Sequence, residues 1–284
     1  MPAIGPGLVG HALDPLSWEW DDRDVMLYAL GIGARLPEDL DFVYEGRGPR
    51  VAAPFPLAAT TLALFPLIDA LGIEVRALLH ASQSIDLHRV PAAAGRATVT
   101  RRITGVWDKG RAAIVDCEDA IEDADGRLAT ARSAWWVEGA GGFGGERSAA
   151  RGAASASAAI EEGRAPDVRT VVATTAEQAA LHRLSGDRNP VHIDPVVARA
   201  AGQPRPFLHG LCTLGALGLA LEKAAGEGRR LASLAGRFTR PVFPGDELVL
   251  EAWWVGDDRD AAAARVRVGD DVVLGAASAG FAAA

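Results

Sequence analysis

The sequence predicts an α+β fold built from two tandem units of one plan, each an antiparallel sheet wrapped around a helix. Three observations carry this. One order of elements, helical signals first and long alternating strands after, occurs twice in 284 residues. Between the two sets, residues 139–165 are rich in Gly, Ala and Ser without an apolar period, the composition of a linker. One run in the second set, FLHGLCTLGALGLALEKAAG, is apolar on nearly every face, as a helix enclosed on all sides must be.

In the first half, DVMLYALGIG reads as a short helix, and 57–71 is a weaker central-helix candidate because Pro66 interrupts it. Four strands follow: SIDLHRV, RATVTRRITGVW, RAAIVDCEDAIE and RLATARSAWWV. They break at Asp108-Lys109-Gly110 and at Ala124-Asp125-Gly126, where turn-forming residues cluster. In the second half, Thr174 and Glu177 have capping-box spacing ahead of AEQAALHRL, which predicts a helix start there. Asp194-Pro195 opens another brief helix that ends at Gly202. The apolar run after Pro206 is long enough for about five helical turns.

SLAGRFTRPV, DELVLEAWWV, AAAARVRV and DVVLGAASAGF then read as strands, with turns at Pro244-Gly245 and Gly269-Asp270. Their short connections make them antiparallel. A curved antiparallel sheet around a long helix is the hot-dog arrangement, so the expected fold is a double hot-dog with a degenerate N-terminal helix. The two sheets join edge to edge, which covers one edge of each. The expected division is residues 1–138 as an N-terminal unit, 139–165 as the linker, and 166–284 as a C-terminal unit.

Composition narrows the classes of function. A hydrophobic share of 49% against 23% charged residues is that of an ordinary globular protein. The longest apolar stretch, 208–221, contains His209 and falls short of the roughly 20 residues that cross a bilayer, so no membrane partner is expected. A net charge of -8 argues against a nucleic-acid surface but leaves room for an anionic small molecule held by a few local cations. The two cysteines, Cys117 and Cys212, have no metal-site or redox-motif spacing, so neither a zinc site nor a disulfide framework is expected. With no basic, apolar leader and no terminal targeting tripeptide, the expected compartment is the cytoplasm.

The chemistry-bearing segment is SGDRNPVH. It sets the carboxylate of Asp187 and the imidazole of His192 five residues apart on a loop stiffened by Pro190 and introduced by Gly186. A carboxylate and an imidazole turned to one point can hold and polarise a water. That is general acid-base work, typically worth about 100-fold to 10,000-fold. Asn189 stands between them, placed to fix the loop or orient the water. A second element is His209-Gly210 at the start of the long helix, where backbone N–H groups are unpaired and the dipole is positive, suited to a developing oxyanion. Taken singly, these residues have plainer accounts: Asp187 as a turn former, His192 as a satisfied core histidine, His209-Gly210 as helix-start packing.

LHRLSGDRNPVHIDPVVARAAG followed by FLHGLCTLG resembles the signature of the MaoC-like, or (R)-specific, enoyl-CoA hydratases. The resemblance spans almost the whole chain. Through DVMLYALGIG, DFVYEG, GGFGG and RFTRPVFPGDEL it extends to the two-unit hydratase region of peroxisomal multifunctional enzyme type 2, and the expectation is that this unit stands alone, without a dehydrogenase or sterol-carrier domain.

The resemblance implies Asp187 and His192 as the catalytic dyad, Asn189 beside them and the Gly210 amide as oxyanion donor. It implies hydration of trans-2-enoyl-CoA to (R)-3-hydroxyacyl-CoA without metal or redox cofactor, within fatty-acid metabolism such as β-oxidation. It also implies a homodimer. His80, Lys109 and Phe238 match positions that contact acyl-CoA in the family, and Glu45 matches a glutamate that supports activity. Lys109 also reads as a hairpin-turn residue, Phe238 as strand core and Glu45 as structural. Where relatives read HGEQ this chain has His80-Ala81-Ser82-Gln83, which alters the first-half site and leaves the dyad intact. Two rival readings remain open: a hot-dog acyl-CoA thioesterase, and a non-catalytic acyl-CoA-binding module, since fold alone does not fix function.

Overall fold

A computed structural model of the chain describes residues 4–148, 160, 163–226, 228–256 and 258–283. The first half runs β1 (Leu16–Trp20), α1 (Asp22–Gly31), α2 (Leu40–Val43), α3 (Leu57–Thr60), α4 (Leu64–Leu71), β2 (Leu78–Leu87), β3 (Gly95–Asp108), β4 (Ala112–Asp123) and β5 (Gly126–Glu138). The second half repeats the plan with β6 (Val168–Ala173), α5 (Gln178–His182), α6 (Pro195–Ala200), α7 (Gly210–Ala225), β7 (Arg229–Phe238), β8 (Glu247–Val255), β9 (Ala261–Val268) and β10 (Asp271–Ala283).

All ten strands form one sheet in the order β1-β3-β4-β5-β2-β7-β10-β9-β8-β6. The halves meet where β2 pairs antiparallel with β7, in a register that runs from Ser82 opposite Arg237 to Asp86 opposite Ser233. This is the double hot-dog. The central helix α7 is buried along most of its length, from Leu211 to Glu222. Its glycines allow close approach: a Cβ on Gly218 would lie 2.4 Å from the Pro54 ring, and one on Gly215 2.6 Å from Ile32. One large core therefore joins α7 and its sheet to α1 and β1 of the first half.

The equivalent first-half helix is broken, but not where expected. The chain tightens into a 3-10 turn at Thr61–Ala63, ahead of Pro66. Pro66 falls in the first turn of α4, where its missing N–H would have had no helical partner. Arg101 of β3 compensates for the break. Its guanidinium donates to the carbonyls of Thr60 and Ala63 and makes two 2.6 Å bonds to Asp119 of β4, with both side chains only 1% exposed.

One further expectation is corrected. The Thr174–Glu177 capping box does not form: the Thr174 hydroxyl donates to the Asp246 carbonyl and accepts from Gly245 N–H, so it ties the end of β6 to the turn before β8. Strands β1 and β6, the two sheet edges, were not anticipated. Part of the expected linker, residues 149–159 and 161–162, lies outside the described residues. The part before it folds back onto the β3–β4 hairpin, because the Asp108 carboxylate accepts N–H bonds from Gly110, Gly142 and Gly144. Those donors hold its pKa down at about 2.

Candidate active site

The loop between α5 and α6 is fixed by its own short bonds. Asp187 Oδ1 accepts from Asn189 N–H at 3.0 Å, and Asn189 Oδ1 accepts from Val191 N–H at 3.1 Å. Two successive Asx turns thus carry the chain from Gly186 to His192. Gly186 has φ +134°, and a Cβ there would lie 2.4 Å from Thr61 Oγ1, so the loop is pressed onto the first half.

His192 is buried, and its Nδ1 lies 2.8 Å from the Phe207 carbonyl. A carbonyl accepts only, so Nδ1 carries the proton and Nε2 is left as a basic lone pair. Burial lowers the pKa of His192, with the Asp187 charge opposing. Burial and the neighbouring His192 and His182 also keep His209 well below its usual value. The His192 and His209 rings lie against each other, with centroids 3.8 Å apart and planes tilted by 32°.

The nitrogen and oxygen donors of Asp187, His192 and His209 lie within 4.8 Å of one another. Within this group His209 Nε2 is directed to the backbone carbonyl of Asp187, at 3.3 Å. A carboxylate and two imidazoles so placed can transfer protons and hydrogen-bond a small polar ligand.

His209 is also the N-cap of α7, and among the described residues no side chain caps the start of this helix. The first N–H groups, beginning with Gly210, carry the positive end of the helix dipole. The Phe238 ring at the end of β7 covers Gly210 so closely that a Cβ would lie 2.9 Å from it. Gly210→Ala is therefore expected to displace Phe238 and to destabilise the fold by about 1–3 kcal/mol through overpacking. Denaturant titration checks this, and Gly210→Ala/Phe238→Leu should recover most of the loss.

These groups share a cavity of about 350 Å³, within the range of ligand pockets. Asp187, Asn189, His192 and Gly210 line it together with His80, Ala81, Phe238, Leu64, Trp135 and Trp136. His80 stacks on Trp135 at 4.1 Å and lies 4.9 Å from Phe238. The register shift between His80 and Ser82 opens β2 beside Ala81. Of the altered His80-Ala81-Ser82-Gln83 segment, therefore, only the first two residues line the cavity.

Two candidates fall outside it. Lys109 sits in the β3–β4 turn and donates to the Arg147 carbonyl, and Glu45 lies on a short exposed 3-10 turn that closes on Gly48. A turn residue matched by sequence alone carries no information on which way the hairpin faces. The sequence reading also missed His182 and Trp135. His182 is buried 5.0 Å from the His209 ring, and its place directly ahead of the SGD loop was the available signal.

Burial holds the pKa of both His80 and His182 at about 3, against 6.5 in an unfolded chain. The unfolded chain binds the extra protons, so stability is complete above about pH 6.5 and is lost as pH falls toward 3. Each histidine contributes up to about 1.4 kcal/mol per pH unit across that window. Denaturant melts between about pH 7 and pH 5 should show this slope, and His182→Phe should shallow it.

Comparison with known proteins agrees with this geometry. Residues 18–139 match the MFE-2 hydratase 2 N-terminal domain, and residues 157–276 match the MaoC like domain. The chain is 38% identical over 290 residues to the 3-hydroxyacyl-thioester dehydratase Y of Mycobacterium tuberculosis, covering 95% of this chain and 98% of that one. It is 36% identical over 258 residues to the enoyl-CoA hydratase ChsH3 of the same organism, covering 86% and 87%. The crystal structure of a MaoC-like dehydratase from Phytophthora capsici superposes with a TM-score of 0.80 at 26% identity, covering 97% of this chain and 96% of that one. With both domains matched in order along a single sheet, the chain belongs to the MaoC-like hydratases, in the two-unit form that sets an MFE-2 hydratase 2 N-terminal domain ahead of the MaoC-like domain.

Proposed function

We infer that this chain is a hydro-lyase that reversibly hydrates trans-2-enoyl-CoA to (R)-3-hydroxyacyl-CoA. The observation that carries this is the convergence, in one apolar-walled cavity, of Asp187, the free Nε2 side of His192 and the uncapped start of α7. A water held between the carboxylate and the imidazole attacks C3 while His192 Nε2 takes its proton. A proton returns to C2. Charge that develops on the thioester oxygen meets the Gly210 N–H, a donor worth roughly 3–4 kcal/mol in the transition state. The relatives named enoyl-CoA hydratase and 3-hydroxyacyl-thioester dehydratase support this reading, and the MFE-2 hydratase 2 match supports the (R) product.

Incubation with crotonyl-CoA is expected to bleach the enoyl chromophore and give (R)-3-hydroxybutyryl-CoA by chiral analysis. Release of free CoA with the chromophore intact would make the chain a thioesterase, and no turnover would leave a binding module. Because the reaction needs only side-chain and backbone groups, no metal or redox cofactor takes part in our reading. Dialysis against EDTA should leave the rate unchanged.

The reading extends to a cytoplasmic homodimer. Among the described residues no helix is long and apolar enough to cross a membrane. The edge strand β6 leaves Val171 48% exposed, the kind of edge that a second copy covers. A monomeric mass by light scattering would refute the dimer. Fractionation of the source cells would test the compartment.

A further inference from the structure

Next to the acyl cavity, and sharing Asp187 and Leu211 with it, lies a second space of about 10 Å³, close to the minimum that one water needs. Its walls come from both halves: Tyr28, Ala58 and Thr61 from the first, and His182, Ser185 and Asp187 from the second. Asp187 also lines the acyl cavity, so it stands between the two spaces.

Among the described residues, two of these walls carry buried polar atoms that make no hydrogen bond, Ser185 Oγ and His182 Nδ1, the latter beside the Gly31 backbone. Buried polar groups are paired in folded proteins because leaving one unpaired is costly. Two further hydroxyls have lone pairs to spare: Tyr28 donates to the Pro54 carbonyl and Thr61 to the Ala58 carbonyl, and each can still accept. The Asp187 carboxylate takes one bond from Asn189 N–H and retains acceptor capacity. A space the size of one water, ringed by two unpaired groups and several acceptors, meets the requirement of two to four polar partners. Protein atoms cannot close it more tightly, because Gly186 already sets the loop against Thr61.

We propose that this space binds one ordered water, which bridges Ser185 Oγ and His182 Nδ1 to the Asp187 carboxylate. Ser185 and His182 are then positioning residues that act on Asp187 through this water. It is distinct from the water consumed at C3. The first half takes part in catalysis at this point too, since Tyr28 and Thr61 close the site.

The kinetic arm of the test rests on the hydratase reading; the crystallographic arm does not. A high-resolution crystal structure of the wild-type protein should show one water within about 2.7–3.2 Å of Ser185 Oγ, His182 Nδ1 and an Asp187 oxygen. Ser185→Ala should lower kcat about tenfold to a hundredfold, the worth of a hydrogen bond to a charged group, with KM changed by less than about twofold. Ser185→Thr, which keeps the hydroxyl, should restore most of kcat, and the melting temperatures should stay together. A dry space, or Ser185 and His182 paired elsewhere, overturns the site. An unchanged kcat in Ser185→Ala, or a KM that rises in step with the loss, overturns the positioning role. If the wild-type protein hydrates no enoyl-CoA, the functional reading fails and the electron density still decides the water site.

Discussion

Asp187→Asn and His192→Gln are each expected to reduce kcat for enoyl-CoA hydration by about 100-fold to 10,000-fold, the range that general acid-base catalysis supplies. The geometry gives the reason. Asparagine in place of Asp187 can still accept from Asn189 N–H and keep the Asx turn, yet it puts a neutral amide where a carboxylate opposes the burial of His192. Glutamine in place of His192 can still reach the Phe207 carbonyl but offers no nitrogen base at the Nε2 position. Because the two groups act on one water, the double variant should fall little below the worse single one. KM should move less than kcat in both, since neither residue forms the apolar wall that holds the acyl group. Steady-state kinetics with melting curves checks this, and turnover within a few-fold of wild type in both variants would end the proposed mechanism.

The parts legible in the sequence were those in which local pattern and tertiary role agree. Long strands that alternate across one buried face, such as β4 with every second residue buried from Val115 to Ile121, announce themselves. So does α7, since a helix enclosed on all sides has to be apolar all round. The edge strands escaped notice for the opposite reason. Strand β6 has only half-buried and exposed positions, and β1 has five residues with two aromatic anchors.

The Thr174–Glu177 spacing misled because a hydroxyl goes to the better partner, and the turn before β8 supplied two. Asp187, Asn189 and His192 were legible because loop chemistry is local: the two Asx turns that converge them lie inside SGDRNPVH. Thr61, Tyr28 and Trp135 were not, because their places at the site exist only once the two halves meet along β2 and β7.

The largest effect on stability is expected from the pair that holds the broken helix. Asp119→Ala should lower the free energy of unfolding by about 3–5 kcal/mol, because it leaves the Arg101 guanidinium buried at 1% exposure without its counter-charge. The Asp119 charge is what raises the Arg101 pKa against the opposing pull of burial. Replacing both partners by apolar residues, Arg101→Met with Asp119→Leu, removes the unpaired charge along with the bridge. For an isolated ion pair such a swap is often neutral or stabilising.

Here it should not recover everything. Arg101 also donates to the Thr60 and Ala63 carbonyls, and a hydrogen bond from a charged donor is worth about 1.5–3 kcal/mol. The double variant should therefore be more stable than Asp119→Ala and less stable than the wild type, as read by denaturant titration. That ordering separates the two roles of Arg101. Equal stability of the double variant and the wild type would mean that the carbonyls find other partners and that the broken helix does not depend on β3 for its shape.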